Sequence, residues 1–468
     1  MYRRRRIPLP LLGALGLLLG LGAAALISLP RVTDLTPPPG SSGALAAPAV
    51  TIVFSQDMQR ETVEARFAVS PERRGSFHWS DRRMTFTPED PWAEGEDVAV
   101  TLAAGATSLR GLPMLGATRW TFSIGAARLA YLWPAGGPAD IYLWSPAGGE
   151  PARLTQTLGG VIDFRPTPDG TRLVFSAWDD GATAIRVLDI AKGTTEVLHR
   201  CDPEAECRNA ALSPDGTLLT YEEHAPQSGG QILARVWVKP LPGGRPALVA
   251  AEDHPTSQPT WSSRGWLGLY DHALMAYAIY DRLDPAHVAF YVPNELGDPM
   301  VWSPDGLAFV FPEMVFVPES VEAETEAPPQ FYSHLRRVAA ADGSAVDLSG
   351  NEGFLVEDAG PAFSPDGRWI AFSRRGLAPE TWTPGRQIWR MRSDGAESLQ
   401  LTDIASLNHA AVTWSPDGTR IAYMVFDQLN PTEPAVMSWR WIDRTDGGLI
   451  VVPESDPAAG GYAPAWIP

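Results

Sequence analysis

The chain has 468 residues, enough for two or three domains rather than one. Its 17 Trp, 44 Pro and 43 Gly, with 44% hydrophobic residues, favour many short strands and tight turns over long helices. The net charge is −18, and four of the positive charges are Arg3–Arg6; so acidic a remainder repels phosphate backbones and sets nucleic acid aside as a partner.

Residues 1–6 read as a basic cytoplasmic tail. Ile7 to Leu29 is an uncharged apolar run closed by Pro30. As a helix it spans roughly 34 Å, enough for the hydrocarbon core of a bilayer. A transmembrane signal anchor is therefore expected over residues 7–29. With basic residues held inside, the bulk of the chain is expected outside the cytoplasm, at the cell surface or in the periplasm. A cleaved signal peptide is the alternative, because Ala23-Ala24-Ala25 resembles a small-residue cleavage site. No Cys lies nearby, which sets aside a lipoprotein anchor. Residues 30–48, rich in Pro and Gly and without periodicity, read as a stalk.

From Val50 the pattern alternates. Val50–Phe54, Arg66–Val69, Ser76–Trp79, Arg83–Thr87, Asp97–Leu102 and Arg119–Phe122 are short β-rich runs separated by turn residues, the pattern of a sandwich over 49–125. Four motifs carry a resemblance: Thr51-Ile52-Val53-Phe54-Ser55-Gln56-Asp57-Met58, Met84-Thr85-Phe86-Thr87-Pro88, Pro91-Trp92-Ala93-Glu94-Gly95, and Gly111-Leu112-Pro113-Met114 before Trp120-Thr121-Phe122-Ser123. In that order the segment resembles the bacterial Ig-like domain of surface-layer (SbsA-type) proteins. The resemblance implies a spacer or adhesive module with no catalytic residues to transfer.

Beyond Leu129 a unit of 40–60 residues repeats. Its marker is a tight turn, Pro168-Asp169-Gly170, Pro214-Asp215-Gly216, Pro304-Asp305-Gly306, Pro365-Asp366-Gly367 and Pro416-Asp417-Gly418, with Ser263-Arg264-Gly265 as a divergent copy. Pro fixes φ at the first corner, Asp suits the second, and Gly takes the positive φ that closes the hairpin. Apolar alternating strands follow, and four strands per unit mark a propeller blade. Residues 129–156 hold only the later strands of a blade, and Ala463–Pro468 supplies the missing first one, so pairing the two ends closes the ring. The count is seven blades, or six if the irregular stretch 259–300 is not a full blade. The turns resemble the TolB-type (WD-like) propeller repeat over about residues 127–468. That resemblance implies a periplasmic or cell-surface protein-interaction scaffold; some relatives gate a peptidase or carry a lyase site. The expected fold is all-β, an Ig-like sandwich followed by the propeller, with one N-terminal transmembrane helix. The acidic stretch from Pro312 to Gln330 reads as a flexible excursion between blade strands.

Cys201 and Cys207, the only cysteines, stand in one loop and read as a local disulfide. A metal site is the alternative, weakened by the lack of an adjacent Cys or His pair. Gly-x-Ser-x-Gly, Walker, Cys-x-x-Cys and His-Glu-x-x-His motifs are absent, so no catalytic residue, metal or cofactor is expected. The first strand of each blade lines the channel, and just upstream of each turn stand Asp163, Asn209, Gln258, Asp298, Asp358, His409 and Tyr462. They either hydrate strand ends or form a polar pocket for a cation, a cationic peptide or a sugar. Trp261, Trp302, Trp414 and Trp466 belong to the repeat core, while Trp178, Trp382, Trp439 and Trp441 pack blades or form a stacking surface. The expected function is non-catalytic binding or scaffolding in the cell envelope, with another envelope protein, a peptide or a glycan as partner and the membrane reached through the N-terminal helix. A propeller enzyme such as a metal-dependent polysaccharide lyase, or a mechanical spacer, is the alternative.

Overall fold

The computed structural model describes residues 29–467 except 42–43, 45–49, 91, 168, 228–229, 282–286, 317–330, 351–353, 429–434, 444–446, 451 and 454–459. It divides into two compact units, Met1–Ile124 and Gly125–Pro468.

In the first unit two antiparallel sheets enclose one core. Val32–Thr36, Val50–Phe54, Arg83–Pro88 and Gly75–Ser80 lie in that order in one sheet, and Phe67–Ser70, Asp97–Leu102 and Thr118–Ser123 in the other. Period-two alternation builds the core: Val98, Val100 and Leu102 are buried on one strand, facing Ile52, Phe54, Met84 and Phe86 in the same cluster. Residues 32–36, read from sequence as part of a stalk, instead pair with Val50–Phe54; Val-Thr-Asp-Leu-Thr carries enough β-branched residues to serve as an edge strand.

The expected anchor requires correction. Residues 7–28 of the apolar run lie outside the described residues. Among the described residues no helix is long and apolar enough to cross a membrane. The helix Arg60–Glu64 has five residues, where a span needs about 20. The single N-terminal anchor, and the membrane-anchored location inferred from it, are not supported.

The second unit is a ring of four-stranded antiparallel blades, each running from an inner strand outward, with blades 5 and 6 joined into one eight-stranded sheet by a parallel pairing of Ser333 with Glu357. Blade 1 is Tyr462–Ile467, Arg128–Trp133, Asp140–Trp144 and Ala152–Arg153. Blade 2 is Val161–Pro166, Arg172–Asp179, Ala182–Asp189 and Thr194–Arg200. Blade 3 is Glu206–Leu212, Leu218–Pro226, Ile232–Pro240 and Ala247–Leu248. Blade 4 is Thr256–Trp261, Leu267–Asp271, Ala276–Tyr280 and Val288–Pro293, so the irregular stretch does form a full blade. Blade 5 is Val301–Trp302, Ala308–Phe316, Phe331–Ala339 and Ala345–Asp347, which places Pro312 and Glu313 within a strand. Blade 6 is Val356–Phe363, Trp369–Gly376, Gln387–Arg392 and Leu399–Gln400, and blade 7 is Leu407–Trp414, Arg420–Asp427, Val436–Trp441 and Gly447–Leu449.

Each inner strand neighbours the next, and the last neighbours the first. The ring closes where Tyr462, Ala465, Trp466 and Ile467 pair with Leu132, Ala130, Leu129 and Arg128. Blades pack through apolar clusters such as Tyr270, Tyr277, Ile279, Trp302, Phe309 and Phe311 between blades 4 and 5. Antiparallel order sorts the loops onto two faces. The Pro-Asp-Gly turns and the third-to-fourth turns emerge on one, the turn face. The second-to-third hairpins and the links to the next blade emerge on the other, the linking face.

Candidate functional site

The inner strands share a distortion that controls where their polar groups go. The ladder slips between Arg208 and Ala211, Ser257 and Thr260, Ala359 and Ala362, Ala410 and Thr413, and Tyr462 and Ala465. Inside these slips Asn209, Gln258, Gly360, Ala411 and Ala463 adopt φ between 51° and 59°. A bulge of this kind turns a backbone N–H out of the ladder and leaves it in need of another acceptor.

Blades 2 and 3 each supply that acceptor to the blade after. Asn209 N–H donates to Asp163 Oδ2 at 2.8 Å, and Gln258 N–H donates to Glu222 Oε1 at 2.6 Å. Asn209 Nδ2 also donates to Glu222 Oε1 at 2.8 Å, and His224 Nε2 lies 2.7 Å from Glu222 Oε2. Gln258 Nε2 donates to the Gly297 carbonyl at 2.9 Å, while Gln258 Oε1 is buried with no hydrogen-bond partner among the described residues. Three of the channel residues read from sequence are thus brought together, and Glu222 joins them. Burial pushes the Asp163 carboxyl above its usual range, against the Asn209 N–H and Arg165. Burial works the same way on Glu222, yet His224, the Gln258 N–H and Asn209 hold it below. Glu222 is 3% exposed. Its only signal in sequence is the pair Glu222-Glu223, which follows Leu218-Leu219-Thr220-Tyr221 in the second strand.

The remaining channel residues occupy other settings. Asp298 lies in a link between blades, where its carbonyl accepts from Tyr277 Oη. Asp358 is buried under Arg374, whose Nε and Nη2 donate at 2.6 and 2.7 Å, and Ser349 Oγ donates to it at 2.5 Å. His409 Nδ1 is 3.0 Å from the Arg386 carbonyl, and burial lowers its pKa. Tyr462 packs between blades 1 and 2 and blades 7 and 1. The seven positions are not equivalent. Asp163, Asn209 and Gln258 stand five residues ahead of the turn's first corner, where the other repeats carry Pro299, Gly360, Ala411 and Ala463. At that position polar side chains are therefore confined to blades 2 to 4.

Other polar pairs sit near the linking face. In blade 4, His254 Nδ1 is 2.7 Å from Asp271 Oδ2, and Ser257 Oγ is 2.8 Å from His272 Nε2. Between blades 2 and 3 a disulfide joins Cys201 and Cys207. The His199 ring is 4.7 Å from the ring of Tyr221, and burial together with Lys239 lowers the His199 pKa to about 4. Among the described residues the His, Cys, Asp and Glu donors that converge enough to hold a metal ion are His199, Cys201 and Cys207. Trp302, Trp414 and Trp466 are buried and Trp261 half-buried, whereas Trp178 and Trp382 are exposed at 37% and 55%. Trp439 and Trp441 pack edge to face, with Arg420 over Trp441 at 4.8 Å.

Residues 28–124 match the family of bacterial Ig-like domains. An uncharacterized protein of Agrobacterium fabrum is 28% identical over 170 residues, 32% of this chain and 47% of that protein, so the chain spans about half its length. Among solved structures, TolB from Acinetobacter baumannii is similar over 94% of this chain and 99% of its own, with 14% identity and a TM-score of 0.44. An oligogalacturonate lyase in complex with manganese is similar over 91% and 99%, with 12% identity and a TM-score of 0.47. Likenesses this distant transfer no activity. The propeller assignment stands on the sheet order and on the closing strand. The architecture is a bacterial Ig-like domain followed by a propeller with TolB-like structural neighbours.

Proposed function

We propose that the protein is a non-catalytic binding scaffold whose propeller presents its linking face to a protein segment that is both apolar and basic. The observation that carries the reading is the distribution of exposed apolar side chains. Leu158, Trp178, Met275, Phe316, Trp382 and Ile404 all stand on the linking face, each more than a third exposed. Among the described residues of the propeller, Leu307 alone among the exposed large apolar side chains stands on the turn face, and the others off the linking face lie on outer edge strands. Apolar surface gathered on one face of a molecule marks an interaction site.

Charge argues for the occupant. The described links and hairpins of this face carry Asp180, Asp202, Glu204, Glu252, Asp253 and Glu295 among their acids, and Arg386 as their one arginine or lysine, beside His254 and His272. Arg386 is already paired with Glu357. A basic partner is steered toward such a surface and an acidic one repelled. A channel lyase finds no comparable support. Among the described residues no three His or carboxylate groups of the channel converge as metal ligands.

Fluorescence anisotropy with the full chain tests the reading, using a labelled Lys/Leu amphipathic peptide and its Glu/Leu counterpart. The basic peptide is expected to bind, more weakly at high salt, and to be weakened further by Trp178→Ser with Trp382→Ser. Leu307→Ser on the turn face is expected to leave binding unchanged. Equal binding of the acidic peptide, or indifference to the paired Trp changes, sinks the idea.

A further inference from the structure

The only two cysteines stand where blade 2 passes into blade 3, Cys201 in the link and Cys207 in the inner strand of blade 3, and the fold brings His199 beside them. We infer that the Cys201–Cys207 pair is the closed form of a metal site: opened by a dithiol, the two thiolates and His199 hold a thiophilic divalent cation such as zinc.

The argument begins with distance. One ring nitrogen of His199 and the two sulfurs all lie within 4.8 Å of one another. A tetrahedral zinc with Zn–N of about 2.0–2.1 Å and Zn–S of about 2.3 Å places its ligand atoms roughly 3.5–3.8 Å apart. The imidazole therefore needs to move by no more than about an ångström, and breaking the S–S bond supplies the sulfur separation.

The second observation concerns the histidine itself. His224, His254, His272, His334 and His409 each have a ring nitrogen at hydrogen-bond distance from a partner. No such bond is made to either ring nitrogen of His199 among the described residues, although its face is held against Tyr221. An oriented imidazole with free lone-pair capacity beside two sulfurs is what a ligand set requires.

Third, the backbone of the site does not depend on the disulfide alone. Cys201 N–H donates to the Thr183 carbonyl at 3.0 Å, and Cys207 N–H donates to Thr183 Oγ1 at 2.9 Å. Both cysteines are therefore tied to the same residue of a central strand of blade 2. Cys207 also sits in the inner strand of blade 3, opposite Glu223. Both cysteines are buried, at 6% and 0% exposure, so their surroundings are expected to hold the two thiols near each other when the bond opens.

The chemistry balances with one named reductant. A dithiol transfers two electrons and two protons to the disulfide, giving two cysteine thiols and its own cyclic disulfide. Metal binding then releases the two thiol protons, and neutral His199 supplies the third ligand. Three protein ligands leave one coordination position for water.

The test uses the full chain, reduced with dithiothreitol and freed of it under nitrogen, titrated with cobalt(II). One equivalent is expected to give thiolate-to-cobalt charge-transfer absorption and the intense visible bands of tetrahedral cobalt, both displaced by zinc. The oxidised chain and Cys201→Ser are expected to give neither band. His199→Ala is expected to bind cobalt at least about tenfold more weakly while its thiols still react. Near-ultraviolet circular dichroism of the reduced chain checks that blades 2 and 3 remain packed. Absence of the charge-transfer band in a folded reduced chain overturns the inference. So does His199→Ala binding cobalt as tightly as the parent, and so does loss of blade packing on reduction.

Discussion

At the scale of single residues the propeller uses buried charge inside blades 5 and 6, and two groups show how much depends on it. Asp358 and Arg374 form a two-pronged ion pair, with Arg374 also set over Phe372 at 5.0 Å and Trp389 at 5.4 Å. Removing one partner strands the other charge, so Arg374→Leu should cost about 3–5 kcal/mol, while Asp358→Leu with Arg374→Leu should recover part of that loss. Urea unfolding of the single and double variants measures it; a double variant as unstable as the sum of the singles would show that the charges do not compensate each other. His334 gives a pH dependence. Burial opposes its charge, but Asp347 at 2.7 Å and the Phe354 carbonyl at 2.8 Å, with Asp358 nearby, raise its pKa above 6.5. A raised folded pKa gives stability that is complete below the unfolded value and lost as pH rises through the folded one. Thermal unfolding across roughly pH 6 to 8 should show this loss in the parent and a flatter profile in His334→Asn. None of these pairings is legible in the sequence. Asp358 stands out there as a channel group, but Arg374 lies 16 positions away on the neighbouring strand, and only the ladder pairing Asp358 with Arg374 brings them together.

At the scale of the turn and the strand the sequence is far more readable, because the determinants are local. In the standard copy Ser213 Oγ donates to Asp215 Oδ1 at 2.6 Å, Leu218 N–H donates to Ser213 Oγ at 3.0 Å, and Gly216 takes φ 70°. A handful of neighbouring residues thus specifies the whole hairpin. The divergent copy keeps that frame, since Gly265 N–H still donates to the Ser262 carbonyl at 3.0 Å. What differs is the use of its two altered residues. Ser263 Oγ donates to the Pro304 carbonyl at 2.8 Å, and Arg264 Nε donates to the Asp305 carbonyl at 2.7 Å. Restoring the repeat with Ser263→Pro and Arg264→Asp removes both inter-blade bonds, each worth about 1 kcal/mol. The change should therefore lower the melting temperature, although it improves agreement with the other turns; a rise in melting temperature would mean that the turn's own geometry dominates. The inner-strand bulges are invisible in the sequence for the opposite reason. Asn209, Gln258, Gly360, Ala411 and Ala463 share a positive φ but no single residue type, so the position of a backbone slip leaves no one letter to read.

At the scale of the molecule, closure decides whether the blades form one cooperative body. Blade 1 is made from both ends of the propeller, and its inner strand Tyr462–Ile467 is the chain's last described element. Ile467 is fully buried with Ala130, Leu132, Ile141 and Phe175, while Trp466 packs with Leu129, Tyr131, Trp144 and Ala422. This one strand therefore links blade 1 to both blade 2 and blade 7. Without it the edge of Arg128–Trp133 is left with unpaired backbone groups, and apolar faces on both sides lose their cover. The ring then becomes an open arc whose terminal blades each pack on one side only. Truncation after residue 461 is expected to remove the single sharp unfolding transition and to leave a broad one, with aggregation through the exposed edge. Trp466→Ala keeps the strand and removes one large buried side chain, at a cost of about 3–5 kcal/mol, so its transition should stay sharp and move to lower temperature. Differential scanning calorimetry of the two variants separates the contributions of backbone pairing and side-chain packing. If truncation behaved like Trp466→Ala, the blades would be cohering through their neighbours alone, and the closing strand would contribute no more than its side chains.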